Sequence, residues 1–496
     1  MKSGFKIIQS LVFHSICLFS LECLAQQNFD TLVDYNNTAE FPYSIYQESD
    51  SGYNFITSGN NEIEFNKLNK DGSLSFQKNF GIPGTNLFVG LSNSLKQTFD
   101  GRYAFGGGVQ YSNTSINKAD GILVKYNAYG DTEFVKVFGD TTWETIYDCF
   151  QTSDSGFVLV GIKCIYSPYS DCNFWIVKTD PNGILVWERT LGTHDDERAY
   201  CVIENNSHQI VVSGWQGIIG AYFYPYWAVY NLQGTLIQTK SLIYSPFVYG
   251  GGLVYNYNNI NEYILVGVLD SVVNINDDKN PGFILRMDSN FIFKWMTIFN
   301  SPEPKYIYIA KKVSDFGIVL VGYKHDNNTN EPVGWIAKID SSGNKLWEHF
   351  YAHANHTNTY NYFSDFRETF DHGFVVCGTS WSGSSQDSWI VKLDSNGCLD
   401  TSCGLNTASV ELFYSQNSLE IFPNPSTTQV TIKYNLMLGK EGKLSVFNIL
   451  GEKMKEQLLV EGNKQIEINI DQWAKGIYLG IVQSGNMIYK SEFIKE

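Results

Sequence analysis

Apolar and polar residues alternate through most of the chain in short bursts, as in WIVKTDPNGILVWERTLG at 175–192 and WIAKIDSSGNKLWEHF at 335–350. A period of two marks half-buried strands. The Asp/Asn-x-x-Gly steps inside these runs predict hairpin turns, where glycine supplies the positive φ that a β-carbon resists. An earlier burst accompanies each pair: TSDSGFVLVG at 152–161, SDFGIVLVG at 314–322, FDHGFVVCG at 370–378 and SDSGYNFITSG at 49–59. The glycines closing these bursts are Gly59, Gly106, Gly161, Gly214, Gly267, Gly322 and Gly378, spaced by 47, 55, 53, 53, 55 and 56 residues. Repeats of about 50 residues are typical of propeller blades.

Each unit reads strand, Asp-x-Gly turn, strand, variable loop, strand, Asp/Asn-x-x-Gly turn, strand. Seven such units predict an all-β fold, a seven-bladed β-propeller over residues 26–404. A β-solenoid or sandwich array is the rival architecture, but solenoid rungs rarely carry four hairpin-linked strands. The seventh unit lacks its last strand. Residues 28–35 (NFDTLVDY) are predicted to supply it, closing the ring and removing the exposed edge. The pattern stops after Gly404. Residues 405–417 read as a linker, and shorter alternating strands over 418–496 predict a small Ig-like β-sandwich.

Composition agrees with β structure: 15 % aromatic residues, 43 Gly and only 17 % charged residues. The formal net charge is -16 with five arginines, which argues against nucleic acid, since phosphate binding needs a basic stripe. Residues 1–25 combine two lysines, an apolar core from Ile7 to Leu21 and a short-chain approach to Ala25, the layout of a signal peptide. No other stretch is long and apolar enough to span a membrane as a helix, so none is expected in the mature chain. In an oxidising compartment Cys164 with Cys172, and Cys398 with Cys403, are placed to bridge small loops. No spacing of Cys and His predicts a metal site, and no cofactor is expected.

Two resemblances follow from the motifs. The form DSGFVLVGY...DxWIVKLDSNGxxxW over about residues 28–404 resembles propeller-like repeats of secreted bacterial proteins, which implies the fold and no single activity. Residues 418–496 resemble the type A C-terminal sorting domain of the type IX secretion system, on Pro423, Asn424 and Pro425 in IFPNP, Asn448 and Gly451 in FNILG, and Gly476 and Tyr478 in KGIY. That resemblance implies passage across the inner membrane by the signal peptide, then outer-membrane passage by the type IX machinery, ending in release or surface attachment.

Candidate chemistry lies on loops leading into the innermost strands. Ser44, Ser94, Asp148, Cys201, Val254, Ile309 and Asp365 fall at one equivalent position of those strands. Two carboxylates there fit an acid and base pair, or solvated channel residues. The loops GDTTWETIYD, GTHDDERAY and AHANHTNTYNYFSD add the acids Asp195 and Glu197 and the ligand-binding candidates Trp143, Glu144, Tyr147, Asp196, Tyr200, Tyr360 and Tyr362, aromatic platforms for stacking and carboxylates for hydroxyls. His353, His356 and Asp365 form a weak metal trio on an irregular loop. The repeated Asp-x-Gly resembles the Asp boxes of sialidases, but five scattered arginines do not supply a carboxylate-gripping cluster, and no nucleophile elbow or phosphate loop is present. The expected function is a secreted or surface-attached, non-enzymatic propeller binding a glycan or protein; the alternative is a secreted glycan-active hydrolase using Asp148, Asp195, Glu197 or Asp365.

Overall fold

The computed structural model describes residues 27–34, 39–111, 118–166, 170–192, 196–218, 222–241, 248–249, 255–257, 262–269, 281–299, 305–325, 331–353, 360–381, 386–400, 419–434, 442–448, 453–459, 465–484 and 487–496. Among these residues there are strands and turns and no helix. Among the described residues the strands from Phe41 to Leu393 form six sheets, one of nine strands, and follow one another in successive antiparallel groups, the nine-stranded sheet supplying the second and third. The third is Trp143–Gln151, Phe157–Tyr166, Ser170–Thr179 and Leu185–Leu191, in that spatial order. The second and third groups share a single β-bridge, Trp143 to Ala119, besides their side-chain contacts.

Burial orders the strands radially. The first three strands of the third group are buried at most of their described positions, whereas Leu185–Leu191 faces water at most of its own. The first strand is thus innermost and the fourth outermost, the arrangement of a β-propeller. In the seventh group the outermost place is taken by Phe29–Val33, which pairs antiparallel with Gln386–Leu393. The expected closure by the N-terminal segment is therefore observed. Phe29, Val33, Ile45, Tyr53, Phe55, Val375 and Ile390 share one apolar cluster, so the first and last groups are packed together. The other seams are packed likewise: Val160, Ile176, Ala199 and Val212 join the third and fourth groups, and one continuous cluster runs from the fourth group through the seventh. Trp175, Trp227, Trp335 and Trp389, one per third strand, are fully buried in these seams. Truncating one of them should cost about 3–5 kcal/mol.

Polar contacts explain the two recurrent turns. The Asp of the first turn pairs with the Lys of the third strand five times, Lys67–Asp50, Lys125–Asp100, Lys178–Asp154, Lys338–Asp315 and Lys392–Asp371, at 2.5–3.0 Å. The same Asp accepts the N–H of the turn glycine, as Asp154 does from Gly156 at 3.0 Å. Where the turn lacks Asp the lysine is also missing: Tyr230 stands there in the fourth group, and Arg286, paired with Glu262, in the fifth. The repeated Asp-x-Gly is a clip within each sheet.

A separate set of residues, 419–496, forms two sheets: Glu420–Phe422, Gln429–Lys433 and Gln465–Asn469 in one, Lys453–Leu459, Gly442–Asn448, Gly476–Ser484 and Met487–Lys495 in the other. Val430, Ile432, Leu444, Val446, Ile468, Val482 and Phe493 make one core between them, as in a β-sandwich.

Candidate functional site

Five innermost strands carry a bulge at the same level, between Pro42 and Ser44, Ile146 and Asp148, Ala199 and Cys201, Ile307 and Ile309, and Phe363 and Asp365. A bulge inserts one residue without a cross-strand partner and re-aims its side chain. The inserted residues are Tyr43, Tyr147, Tyr200, Tyr308 and Ser364. Four tyrosines at one level were visible in the sequence only as the residue before each aligned ring position.

Three of them, Tyr147, Tyr200 and Tyr308, enter two aromatic platforms. In the third and fourth groups Tyr147 stacks on Tyr200 with centroids 5.4 Å apart and planes 17° apart. Trp215 Nε1 donates to the Tyr200 hydroxyl at 2.8 Å, and Arg198 lies over the Trp215 ring at 5.0 Å while holding Asp196 at 3.1 Å. In the sixth and seventh groups Tyr306 stacks on Tyr323 at 4.6 Å, and Tyr308 meets Tyr323 at 5.7 Å and Tyr362 at 5.9 Å. Tyr360 lies against Trp381 at 5.1 Å. Tyr308 and Tyr360 keep 39 % and 41 % of their surface exposed. Of the stacking candidates read from sequence, Tyr147 with Tyr200, and Tyr362 with its neighbours, are brought together; Trp143 is buried, and so are Tyr147 and Trp215, which leaves Tyr200 as the partly exposed ring of the first platform.

The carboxylates of the aligned position are not solvated. Asp148 and Asp365 are buried, and each ties its own strand to the next group. Asp148 pairs with Lys96 at 2.8 Å and accepts from Cys149 N at 2.9 Å and Val202 N at 3.1 Å. Asp365 is held by Lys311, by Arg367 at 3.0 Å and by Ser44 and Ile45 N of the first group. Arg367 also donates to Asn93 at 2.9 Å and lies 4.0 Å over Tyr46. Burial raises the pKa of both acids, opposed by these cations and donors. Their hydrogen-bonding capacity is spent on the seams.

Glu197 is buried and accepts from Gln216 at 3.3 Å; Asp195 lies outside the described residues. Glu144 is also buried, and here the sequence missed a partner, Asp140. Thr142 Oγ1 lies 2.5 Å from Glu144 and 2.9 Å from Asp140, and Lys163 is 3.2 Å from one and 2.8 Å from the other. Burial raises the Glu144 pKa, while the Lys163 hydrogen bond lowers that of Asp140. Two linked carboxyls pushed apart in this way can divide proton donor and acceptor roles. At the closing seam Asp34, Glu40 and Asp387 bring one oxygen each within 4.8 Å of one another, a second acidic group that no motif announced. His353 lies 3.9 Å from Asp30; His356 is outside the described residues.

Cys164 and Cys172 are joined as a disulfide, and Cys398 is disulfide-bonded, with Cys403 outside the described residues. Cys149, Cys201 and Cys377 are buried thiols. In the C-terminal sandwich Asn424 donates to Glu492 O at 3.1 Å and accepts from Ile494 N at 2.9 Å. The Pro-Asn-Pro turn is thereby fastened to the last strand. Asn448 pairs with Tyr478 across the sheet, the Tyr478 hydroxyl donates to Ala474 O at 2.7 Å, and Gly476 has φ 154°; Gly451 lies outside the described residues.

Comparison with known proteins gives no match among curated proteins. Among solved structures the chain is similar to virginiamycin B lyase from Staphylococcus aureus (10 % identity, 73 % of this chain and 99 % of that one, TM-score 0.44). It is also similar to polysaccharide lyase Uly1 (9 %, 75 % and 100 %, 0.45) and to the β-propeller domain of the Trilobed protease from Pyrococcus furiosus (11 %, 73 % and 93 %, 0.42). Residues 420–496 match the family described as secretion system C-terminal sorting domain. That match implies engagement with the type IX secretion machinery and secretion or attachment at the cell surface.

Proposed function

We propose that the protein is a secreted or surface-attached, non-enzymatic binding propeller whose ligand, a glycan or a protein, docks on the side where the chain enters the innermost strands. In this reading a signal peptide at 1–25 is removed, residues 26–404 form a closed seven-bladed ring, 405–417 are a linker, and 418–496 act as a type A sorting domain. The observation that carries it is that bulged Tyr147, Tyr200 and Tyr308 enter two aromatic platforms while Asp148 and Asp365 are engaged in ion pairs. Rigid aromatic faces give contact area at low entropic cost, and buried paired acids are poorly placed for proton transfer.

One observation favours the alternative, a glycan-active hydrolase: Asp140 and Glu144 share Thr142 and Lys163 with opposed pKa shifts. A glycan and protein array with the purified propeller, followed by product analysis on every ligand bound, separates the two. Binding without turnover, weakened by Tyr200→Ala, is expected. Turnover abolished by E144Q at unchanged affinity would instead establish the hydrolase. For the export step, deletion of residues 418–496 should trap the protein in the periplasm, and normal release of the truncation would refute the sorting role.

A further inference from the structure

Resting on the reading of this side as a binding surface, we infer that its ligand is an extended, uncharged oligosaccharide that contacts both aromatic platforms at once. The platforms belong to the third and fourth groups, where partly exposed Tyr200 is backed by the buried Tyr147 and Trp215, and to the sixth and seventh, where Tyr308 is exposed and Tyr323 and Tyr362 are partly so. Around the ring they are separated by the fifth group on one side and by the first two on the other, so they stand on opposite sides of the axis. A ligand touching both needs stackable units at two separated places along its length. A chain of pyranose rings provides this, since each ring offers an apolar C–H face to an aromatic ring and hydroxyls at its edge.

Charge narrows the class. Asp196 is held by Arg198, and Asp148 and Asp365 by Lys96, Lys311 and Arg367, so the nearby acids are engaged with cations already present. The phenols of Tyr200 and Tyr362 have pKa values raised, first by burial, so both stay neutral and can donate to sugar hydroxyls. The net charge of the chain, -16, opposes the approach of polyanionic glycans.

The test measures binding of the full secreted chain to neutral oligosaccharides of several linkages, then to a length series of the best binder and to uronic-acid oligomers of the same lengths. Affinity should rise steeply with length until both platforms are covered and then level off. Tyr200→Ala and Tyr308→Ala should each lower the affinity of long oligomers at least tenfold while changing that of short ones unequally. Should Tyr200→Ala fail to fold, Tyr308→Ser, at an exposed ring, carries the same comparison. Tight binding of a uronic-acid oligomer or a peptide, weakened by these substitutions, would overturn the inference and leave the binding surface standing. Binding of no ligand, or binding indifferent to both substitutions, would overturn the inference and the binding surface together.

Discussion

Ser153 donates both its backbone N–H and its hydroxyl to Glu204 of the next group, each at 2.6 Å, and His208 Nδ1 lies 2.8 Å from the same carboxylate. Ser314 repeats this with Glu368, at 2.7 and 2.5 Å, with His372 at 3.3 Å. Elsewhere the acceptor is an uncharged amide and the donor a phenylalanine, Phe99 N to Gln151 and Phe370 N to Gln47, both at 2.7 Å. Each carboxylate takes a backbone N–H and a hydroxyl from its serine, whereas a phenylalanine has only its N–H to give the glutamine. The second residue after the first strand and the acceptor one group later therefore vary together in these four seams.

The Ser153–Glu204 contact predicts a graded response to substitution. Glu204→Gln keeps an acceptor of the kind used at Gln151 and should change stability little. Glu204→Ala removes a charge-assisted bond and should cost about 1–2 kcal/mol. Urea unfolding of both variants is the measurement, and equal stability of the alanine variant and the parent would show that this contact does not hold the seam.

The turn clips predict an acid response. A Lys67 hydrogen bond lowers the pKa of Asp50. Burial would raise those of Asp154 and Asp315, but Thr152 and Lys178 in one case, and Lys338 in the other, more than offset it. A depressed folded-state pKa adds stability above the unfolded value of about 3.9 and loses it as pH falls through the folded value. Because these carboxylates are about half exposed, solvent screening limits each to about 0.3–1 kcal/mol. Changing all three to Asn should flatten the decline in thermal stability between about pH 5 and pH 2. An unchanged acid profile would mean that the clips contribute nothing.

Much of this fold was legible because its repeating parts are local. The DxG and DxNG turns, the strand periods and the missing outer strand of the seventh unit all follow from residues close in the chain. The Lys178–Asp154 pair was less visible, since its partners lie 24 residues apart and become a rule only when five sheets are superposed. The bulges were hidden altogether. A single extra residue leaves no mark on a period-two pattern, so Tyr147 and Tyr200 were read as loop aromatics and Asp148 as a channel acid. Asp140 was missed because its role depends on Lys163 from the neighbouring strand.

Gly161 ends one of the bursts that first marked the repeat, and the bulge explains why. A β-carbon there would sit 1.8 Å from the carbonyl oxygen of Thr145, and a neighbouring backbone cannot yield as a flexible side chain can. Gly161→Ala should therefore cost more than about 3 kcal/mol or prevent folding. Secretion yield and melting temperature report this directly; near-parental values would remove the steric account of the marker glycine.

The Cys164–Cys172 bridge closes a short cross-strand loop, with a sequence separation of 8. Chain-entropy reasoning gives it about 2–3 kcal/mol. Replacing both cysteines with serine should lower the melting temperature, whereas Cys149, Cys201 and Cys377, buried in the native protein, should react with a thiol reagent only after unfolding. Rapid labelling of native protein at these three positions would contradict their burial.

Asp148 offers the sharpest division between a structural and a catalytic acid. Removing it by Asp148→Ala deprives the partly buried Lys96 of its ion pair and leaves only its Asn93 carbonyl and the more distant Asp365, which should cost about 2–3 kcal/mol. Replacing the pair together by Lys96→Met and Asp148→Leu removes both desolvation penalties and should recover a large part of that loss. Val202 N would then be left without its acceptor, so recovery should remain incomplete. If the site is only a seam, the double variant that folds should bind the ligand of the aromatic platforms as the parent does. A double variant as stable as the parent that has lost turnover on a substrate the parent cleaves would make Asp148 catalytic and would reverse the assignment of this side of the ring.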